Sequence, residues 1–492
     1  MNKSSIMFLG TASSVGKSMM AAALLRILKN KGFSVAPFKA LNISLNSYVT
    51  YDGLEIGVAQ KVQAEAAKIE PSVLMNPVLL KPASGKTQVI VEGKVVKTIN
   101  PYEYTEINDK LKIRIKKVYN KIRKNYDIIV LEGSGSCAEI NLRETDIANI
   151  EMAKMSKSPI ILVSDIDRGG VFASIYGTLS LIREDERKMV KGVIINKFRG
   201  DKKRFEKAVT QLEDIIKIPV LGVMPYEELN IDDEDAVTEK LVNNNDKKSL
   251  IDIVVIKLKS MSNFTDFNTF SRYEFINVRY VDKSEDIGNP DLIIIPGTKN
   301  TIKDLRFLKK KGLFEKIIEK HQNGTVILGI CGGYQMLGNI IVDSLSIESD
   351  IREETGFSLL NFKTRFSEEK VTRRANCTAF DSINVSGYEI HNGISKIGKN
   401  SEIFMKSENG SILGICNKEH NVFGTYLHGV FDSDEFLDYF LENVLKINLD
   451  SYMTKKNEAY DEFKDRQYEK LADVFEKNID VDKIITIINN GL

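Results

Sequence analysis

Short apolar runs alternate with amphipathic stretches along most of this chain, the pattern of βαβ units feeding parallel sheets. In the first half the runs are IMFLG (from Ile6), DIIVLEG (from Asp127), PIILVSD (from Pro159), GVIIN (from Gly192) and PVLGVMP (from Pro219). Each is rich in β-branched residues and ends at Gly, Pro or a charge. The stretch from Tyr226 to Ser249 breaks the pattern: it contains LNIDDEDAVTEK and NNNDKK, stays polar throughout, and reads as an interdomain linker. Apolar runs then resume with IDIVVI (from Ile251), DLIIIPG (from Asp291), TVILGIC (from Thr325) and VFGTYLHG (from Val422). The last forty or so residues are charged and helical in character. Tyr468, Leu471, Ala472, Val474 and Phe475 are spaced there to form one apolar face, which predicts a helix docked on one of the domains. The expected organisation is α/β: a first doubly wound domain over 1–230, a linker over 231–249, a second doubly wound domain over 250–447 and a helical extension over 448–492.

Composition narrows the field. With 69 Lys+Arg against 68 Asp+Glu the net charge is +1, so no general field draws in nucleic acid or an acidic membrane. No apolar run approaches the roughly 20 residues that span a bilayer, and MNKSSIMFLGTASS is too short in its apolar part for a signal peptide. Cys137, Cys331, Cys377 and Cys416 show no CxxC pairing, so neither a disulfide framework nor a zinc site is expected, and a reducing cytoplasm fits best.

The first run leads into GTASSVGKS, Gly10 to Ser18, followed by the helix pattern MMAAALLRILKNKG. Strand, glycine-bearing loop, Lys-Ser and helix are the parts of a phosphate-binding loop. Loop N–H groups and the helix N-terminus surround phosphate oxygens, Lys17 adds charge, and the Ser18 hydroxyl can ligate Mg²⁺. Thr11 stands where the common pattern has its first glycine, with Gly10 one residue earlier. DIIVLEG places Glu132 at the end of another strand, where a carboxylate can share the metal.

TVILGICGGYQMLG places Cys331 between an apolar strand and a helix, with Gly329, Gly332, Gly333 and Gly338 permitting a sharp turn. This is the arrangement of a nucleophile elbow with Cys in place of Ser. A helix N-terminus favours the thiolate, and the Gly332 N–H can stabilise an oxyanion. The thiol needs a base. His428, in VFGTYLHGVF, is the first candidate and His391, in GYEIHNG, the second; His321 and His420 look like surface residues. A buried structural role suits the other three cysteines.

GICGGYQMLG followed by TYLHGVF resembles class I, triad-type glutamine amidotransferase domains of flavodoxin-like fold. GTASSVGKS resembles the P-loop of dethiobiotin synthetase. The two together, with FKALNISLNSYVTYDGLEIGVAQ, QAEAAKIEPSVLMNPVLLKP, LEGSGSCAEINLRETDIANIEMA, SDIDRGGVFASIYGTL and VIINKFRGD, are similar to the cobyric acid synthase family over nearly the whole chain. The resemblance implies ATP- and glutamine-dependent amidation of the b, d, e and g carboxylates of a corrin a,c-diamide. It implies Cys331 as nucleophile, His428 as proton carrier, and Gly297 and Gly332 as oxyanion donors. Gly16, Lys17 and Ser18 would hold ATP phosphates, with Ser18 and Glu132 on Mg²⁺. By likeness to dethiobiotin synthetase, Lys39 would stand near the transferred phosphate, Asp52 near the metal and Asn196 at the adenine. Its partners are then small molecules alone, with no nucleic acid or membrane, and its oligomeric state is open. Most triad amidotransferases carry Glu two positions after the histidine; Val430 stands there, so the site reads as a Cys–His dyad, with any orienting group to be sought through the GYEIH segment. Two other readings stand beside this one: a cobyrinic acid a,c-diamide synthase with the same chemistry, and a partitioning-type switch ATPase that leaves Cys331 and His428 idle.

Overall fold

The structure, a computed structural model, describes residues 3–83, 85–100, 103–232, 250–399, 401–449 and 458–492. The predicted linker falls mostly on 233–249, outside the described residues.

All five apolar runs of the first half become strands of one parallel six-stranded sheet. Its spatial order is Val220–Pro225, Val190–Phe198, Ile160–Asp165, Ser4–Gly10, Ile128–Glu132 and Val35–Phe38. The sixth strand, VAPF, carries a proline and gave no strong signal; it lies at the sheet edge, where a missing N–H donor is tolerated. Along Ser4–Gly10, Met7 and Leu9 enter one core while Ile6 and Phe8 enter the other, so the sheet is buried on both faces.

The C-terminal segment returns to this first half. Helix Tyr460–Asn478 packs on helix Lys17–Asn30, burying Tyr468, Leu471, Ala472 and Phe475 with the helix's Ala21, Leu24 and Leu28. A second short helix, Val481–Asn490, adds Ile484 and Ile488. Arg26 is fully buried and paired with Asp465 at 2.7 Å and Glu469 at 2.9 Å. Gly222, at φ +155°, lets the end of the long helix approach: a Cβ there would lie 2.1 Å from the Asn478 carbonyl oxygen.

Between the edge strand and helix Tyr104–Ile122 the chain inserts a four-stranded sheet of Leu41–Ile43, Val78–Ala83, Lys86–Val91 and Lys94–Ile99, and a short hairpin, Ser47–Val49 with Glu55–Gly57. The polar loops and short runs of this region carried no periodic signal.

In the second half, Ile276–Val281, Ile251–Ile256, Leu292–Ile295, Val326–Ile330 and Val422–Thr425 form the parallel part of an eleven-stranded sheet. Strands Ile412–Cys416 and Glu402–Ser407 extend it antiparallel towards a long hairpin, Phe362–Ala379 with Ile383–Ile397. The hairpin reaches the first half. Lys370 bonds Glu55, and Arg374 bonds the Tyr48 hydroxyl. Asp232 ties the halves as well, accepting from Lys61 at 2.7 Å and from Asn268 at 2.8 Å.

Because Phe475 is fully buried between helix Lys17–Asn30 and the sheet, Phe475→Ala should destabilise the first half by about 3–5 kcal/mol. Urea unfolding followed by fluorescence or circular dichroism measures this. A transition at the wild-type midpoint would show that the C-terminal helix is not part of that core.

Candidate functional site

Two sites emerge, each at the carboxyl end of parallel strands. The first lies where Ser4–Gly10 runs into helix Lys17–Asn30. Gly16 caps that helix at φ +96°, and a Cβ there would sit 2.1 Å from Asn196 Nδ2. Asn196 comes from strand Val190–Phe198 and donates to the Val15 carbonyl at 2.8 Å, so it braces the loop from behind. Lys17 Nζ donates to the carbonyls of Ala12 at 3.2 Å and Gly135 at 2.9 Å, arching over the loop.

Ser18 Oγ donates to Glu132 Oε1 at 2.7 Å, and Lys39 Nζ lies 3.1 Å from the same oxygen. Gln63 Nε2 donates to Glu132 Oε2 at 2.6 Å, while its own Oε1 is buried without a hydrogen-bond partner. A hydroxyl, a carboxylate and an orphaned amide oxygen are hard donors of the kind Mg²⁺ takes. Sequence reasoning missed Gln63, whose type and helical context carry no motif. Asp52 is not gathered with these groups. It is exposed in the turn of the Ser47–Gly57 hairpin, where Thr50 accepts from Gly53 and the neighbouring chain is the second half.

Beside the loop opens a cavity of about 980 Å³, lined by Ser13 and Gly135 at the phosphate end and by Leu41, Leu80, Ile140 and Leu142 along its sides. Ile43, Ile140, Leu142 and Leu181 are large apolar side chains left exposed around it, as at a binding surface.

The second site is built around Cys331. The residue ends strand Val326–Ile330 and caps helix Gly332–Leu337 at φ +52°, ψ −108°, a sterically strained elbow. The elbow is packed so tightly that a Cβ on Gly333 would lie 1.9 Å from the Ile295 carbonyl oxygen. A Cβ on Gly332 would meet Thr298 N at 3.0 Å, and one on Gly297 would meet His428 Cε1 at 3.2 Å. The two glycines singled out as oxyanion donors thus lie one beside the thiol and the other beside the imidazole.

His428 is buried, and its Nδ1 lies 2.7 Å from Asp266 Oδ2; Asp266 Oδ1 accepts from Gly429 N at 3.0 Å. The expected dyad is therefore a thiol–imidazole–carboxylate row. Asp266 comes from the 3₁₀ helix Phe264–Arg272, 162 residues from the histidine it holds. Nothing in SNFTDFNTF marks it, because the contact exists only once that helix packs beside His428. The GYEIH segment braces the ring instead: Tyr388 stacks on it at 5.3 Å, and the two residues exchange backbone hydrogen bonds. His391 is not the partner of the thiol. Its ring nitrogens are taken by the Gly393 carbonyl and Glu389, although the preceding Ile390 carbonyl approaches Cys331 Sγ at 3.6 Å.

Burial alone would lower the His428 pKa, but Asp266, aided by Cys331, outweighs it and raises the imidazole to about 10. The ring thus carries its proton at neutral pH and faces the thiol as a cation. Burial pushes the thiols of Cys137, Cys377 and Cys416 up to about 12, which keeps them unreactive.

The cavity over Cys331 is small, about 30 Å³, and its wall includes Lys299, Gln335 and Glu348. Burial raises Glu348 to about 7 against the pull of Lys299. Lys81, from the four-stranded sheet of the first half, also lines it.

Asp266→Ala should remove the interaction that raises His428 and leave the burial that lowers it. The imidazole would then lose its proton at a lower pH, leaving the thiol without a facing cation at neutral pH. Alkylation of Cys331 by iodoacetamide at pH 7 is expected to fall about tenfold or more. Glutamine hydrolysis is expected to drop by about 10²–10⁴. An unchanged alkylation profile would refute the role of Asp266.

Comparison with known proteins bears on both halves. Residues 6–237 match the CobQ/CobB/MinD/ParA nucleotide binding domain, and residues 252–436 match the CobB/CobQ-like glutamine amidotransferase domain. The chain is 58% identical over 501 residues to a cobyric acid synthase of Clostridium botulinum (strain Alaska E43 / Type E3), covering 99% of this chain and 100% of the relative. It is 54% identical to a cobyric acid synthase of Clostridium perfringens (strain 13 / Type A), covering 100% of both. The cobyric acid synthase of Alkaliphilus metalliredigens (strain QYMF) is 47% identical, covering 97% of this chain and 99% of its own length.

Proposed function

The chain belongs to the cobyric acid synthase family, and from that premise we propose that it converts a corrin a,c-diamide to cobyric acid, amidating the b, d, e and g carboxylates with glutamine as nitrogen donor and ATP as activator. The observation that carries this reading is the pairing, in one chain, of an activated thiol and a phosphate loop that opens on a cavity of macrocycle size. The end-to-end match to cobyric acid synthases favours this reading over an a,c-diamide synthase. A switch ATPase would have no use for the amidotransferase half.

At the second site the Cys331 thiolate attacks the side-chain amide carbon of glutamine. The Gly332 and Gly297 N–H groups receive the developing oxyanion, and His428 protonates the leaving nitrogen, which departs as ammonia. Water, deprotonated by the same imidazole, then cleaves the thioester and releases glutamate. Asp266 holds the ring in place throughout.

At the first site a corrin carboxylate takes the γ-phosphoryl group of ATP, giving an acyl phosphate and ADP. Ammonia attacks the acyl carbon, the amide forms and phosphate leaves. Lys17 and the loop N–H groups position and neutralise the phosphates, and Lys39 stands where it can reach the transferred group. Mg²⁺, held by Ser18 and Glu132 with the Gln63 carbonyl oxygen, would supply further charge neutralisation there. Asn196 braces the loop through the Val15 carbonyl, and Asp52 is exposed in the Ser47–Gly57 hairpin turn. The apolar sides of the large cavity suit the faces of a corrin ring, leaving its peripheral carboxylates to approach the phosphate end in turn. A free-thiol nucleophile and the use of ATP support a cytoplasmic enzyme. No helix among the described residues is long and apolar enough to cross a membrane.

Purified protein given a corrin a,c-diamide, ATP and glutamine should add four amides, counted by mass spectrometry. Two amides added to a fully acidic corrin instead would identify an a,c-diamide synthase. Cys331→Ala should lose synthesis with glutamine and keep it with ammonium chloride, whereas Lys17→Ala should lose both. Synthesis retained by Lys17→Ala would remove ATP activation at this loop.

A further inference from the structure

The two sites lie on opposite faces of the same thin sheet. In strand Val78–Ala83 adjacent side chains point to opposite faces. Leu80 lines the large cavity beside the phosphate loop, and Lys81 lines the chamber of Cys331. The next strand repeats the division. Thr87 lines the large cavity, while Gln88, directly across from Lys81, accepts from Lys370 of the second half at 3.4 Å. A single layer of backbone therefore separates where ammonia forms from where it is consumed.

On the chamber side, Lys81 Nζ donates to Glu55 Oε1 at 2.9 Å and to Ser47 Oγ at 2.8 Å. The other oxygen of Glu55 accepts from Lys370 at 2.5 Å. All three charged side chains are buried or nearly so. Ser47 also reports on the glutaminase: its carbonyl accepts from Asn263 Nδ2 at 2.7 Å and from the Tyr388 hydroxyl at 3.3 Å, and Tyr388 stacks on His428.

We propose that the Lys81–Glu55–Lys370 cluster is the gate through which ammonia leaves the Cys331 chamber for the acceptor side of the sheet, with Lys81 as the moving part. This rests on the function proposed above. Three features support it. The chamber is small, about 30 Å³, and Lys81 forms part of its wall. Lys81 is a flexible side chain whose departure does not strand a buried anion, because Glu55 keeps Lys370. Burial, reinforced by Lys370 and Lys299, brings Lys81 down to about 8 against the pull of Glu55.

The test is the ratio of glutamate released to amide formed in the complete enzyme. Lys81→Met should keep consuming glutamine and should amidate the corrin from ammonium chloride as the wild type does, while the ratio rises from near parity to a several-fold excess of glutamate. Lys81→Arg, which retains the charge on a bulkier head, is the companion should the methionine variant fold poorly. It should slow glutamine-driven synthesis and leave ammonium-driven synthesis intact. A Lys81→Met enzyme with glutamate and amide still at parity, or a Lys81→Arg enzyme equally fast with both nitrogen sources, would overturn the gate alone. A wild-type enzyme that forms no amide from either nitrogen source would overturn the proposed function, and the gate with it.

Discussion

A parallel strand that turns sharply into a helix is the constraint on which both reactive centres depend. At such a turn the backbone N–H groups of the helix point outward, unpaired and positively polarised, at the carboxyl edge of the sheet. Gly16 and Cys331 occupy that position in the two halves, each with positive φ. The phosphate loop uses the exposed donors on an anion that arrives with the nucleotide. The thiol elbow uses them on an anion that forms during reaction. Glycine makes the first turn at little cost, whereas cysteine holds the second only because Gly332 and Gly333 let the following helix press against the loop at Pro296–Thr298.

That dependence explains how charge is distributed in a chain with almost no net charge. Around Glu132, Ser18, Lys39 and Gln63 converge on one buried carboxylate. Around His428, Asp266 holds a proton on the ring that burial would otherwise remove. At the boundary between the halves, Glu55 serves two lysines. In these three clusters the buried anion is matched locally, as the cost of an unpaired buried charge requires. In each cluster at least one partner comes from far away in the chain.

The boundary itself is built from segments that look least structured in the sequence. The hairpin around Ser47–Gly57, the four-stranded insertion and the long hairpin Phe362–Ile397 meet there, and the chain's last helices return to cover helix Lys17–Asn30. The covalent order of the chain is therefore not the order of its packing. The last 33 described residues, 458–492 apart from the two before the helix, stabilise the sheet that the first residues begin.

The sequence by itself determined the two parallel sheets, the phosphate loop and the thiol elbow, because these are local. An apolar run of β-branched residues, a glycine turn and a helix pattern lie within twenty or so consecutive positions, and their chemistry follows from that spacing. It also marked Glu132 and His428, which stand at strand ends. Tertiary structure alone decided what completes each site. Asp266 orients His428 from a short 3₁₀ helix with no motif, Gln63 donates to Glu132 and keeps an unpaired oxygen, and Asp52 lies exposed in a hairpin turn. Lys81 reads in sequence as one more strand lysine. It reaches the thiol chamber because strand alternation sends it to the face opposite Leu80 and the second half packs against that face. Contacts of this kind have no period along the chain, since they are set by which surfaces meet when two sheets and their insertions close on one another.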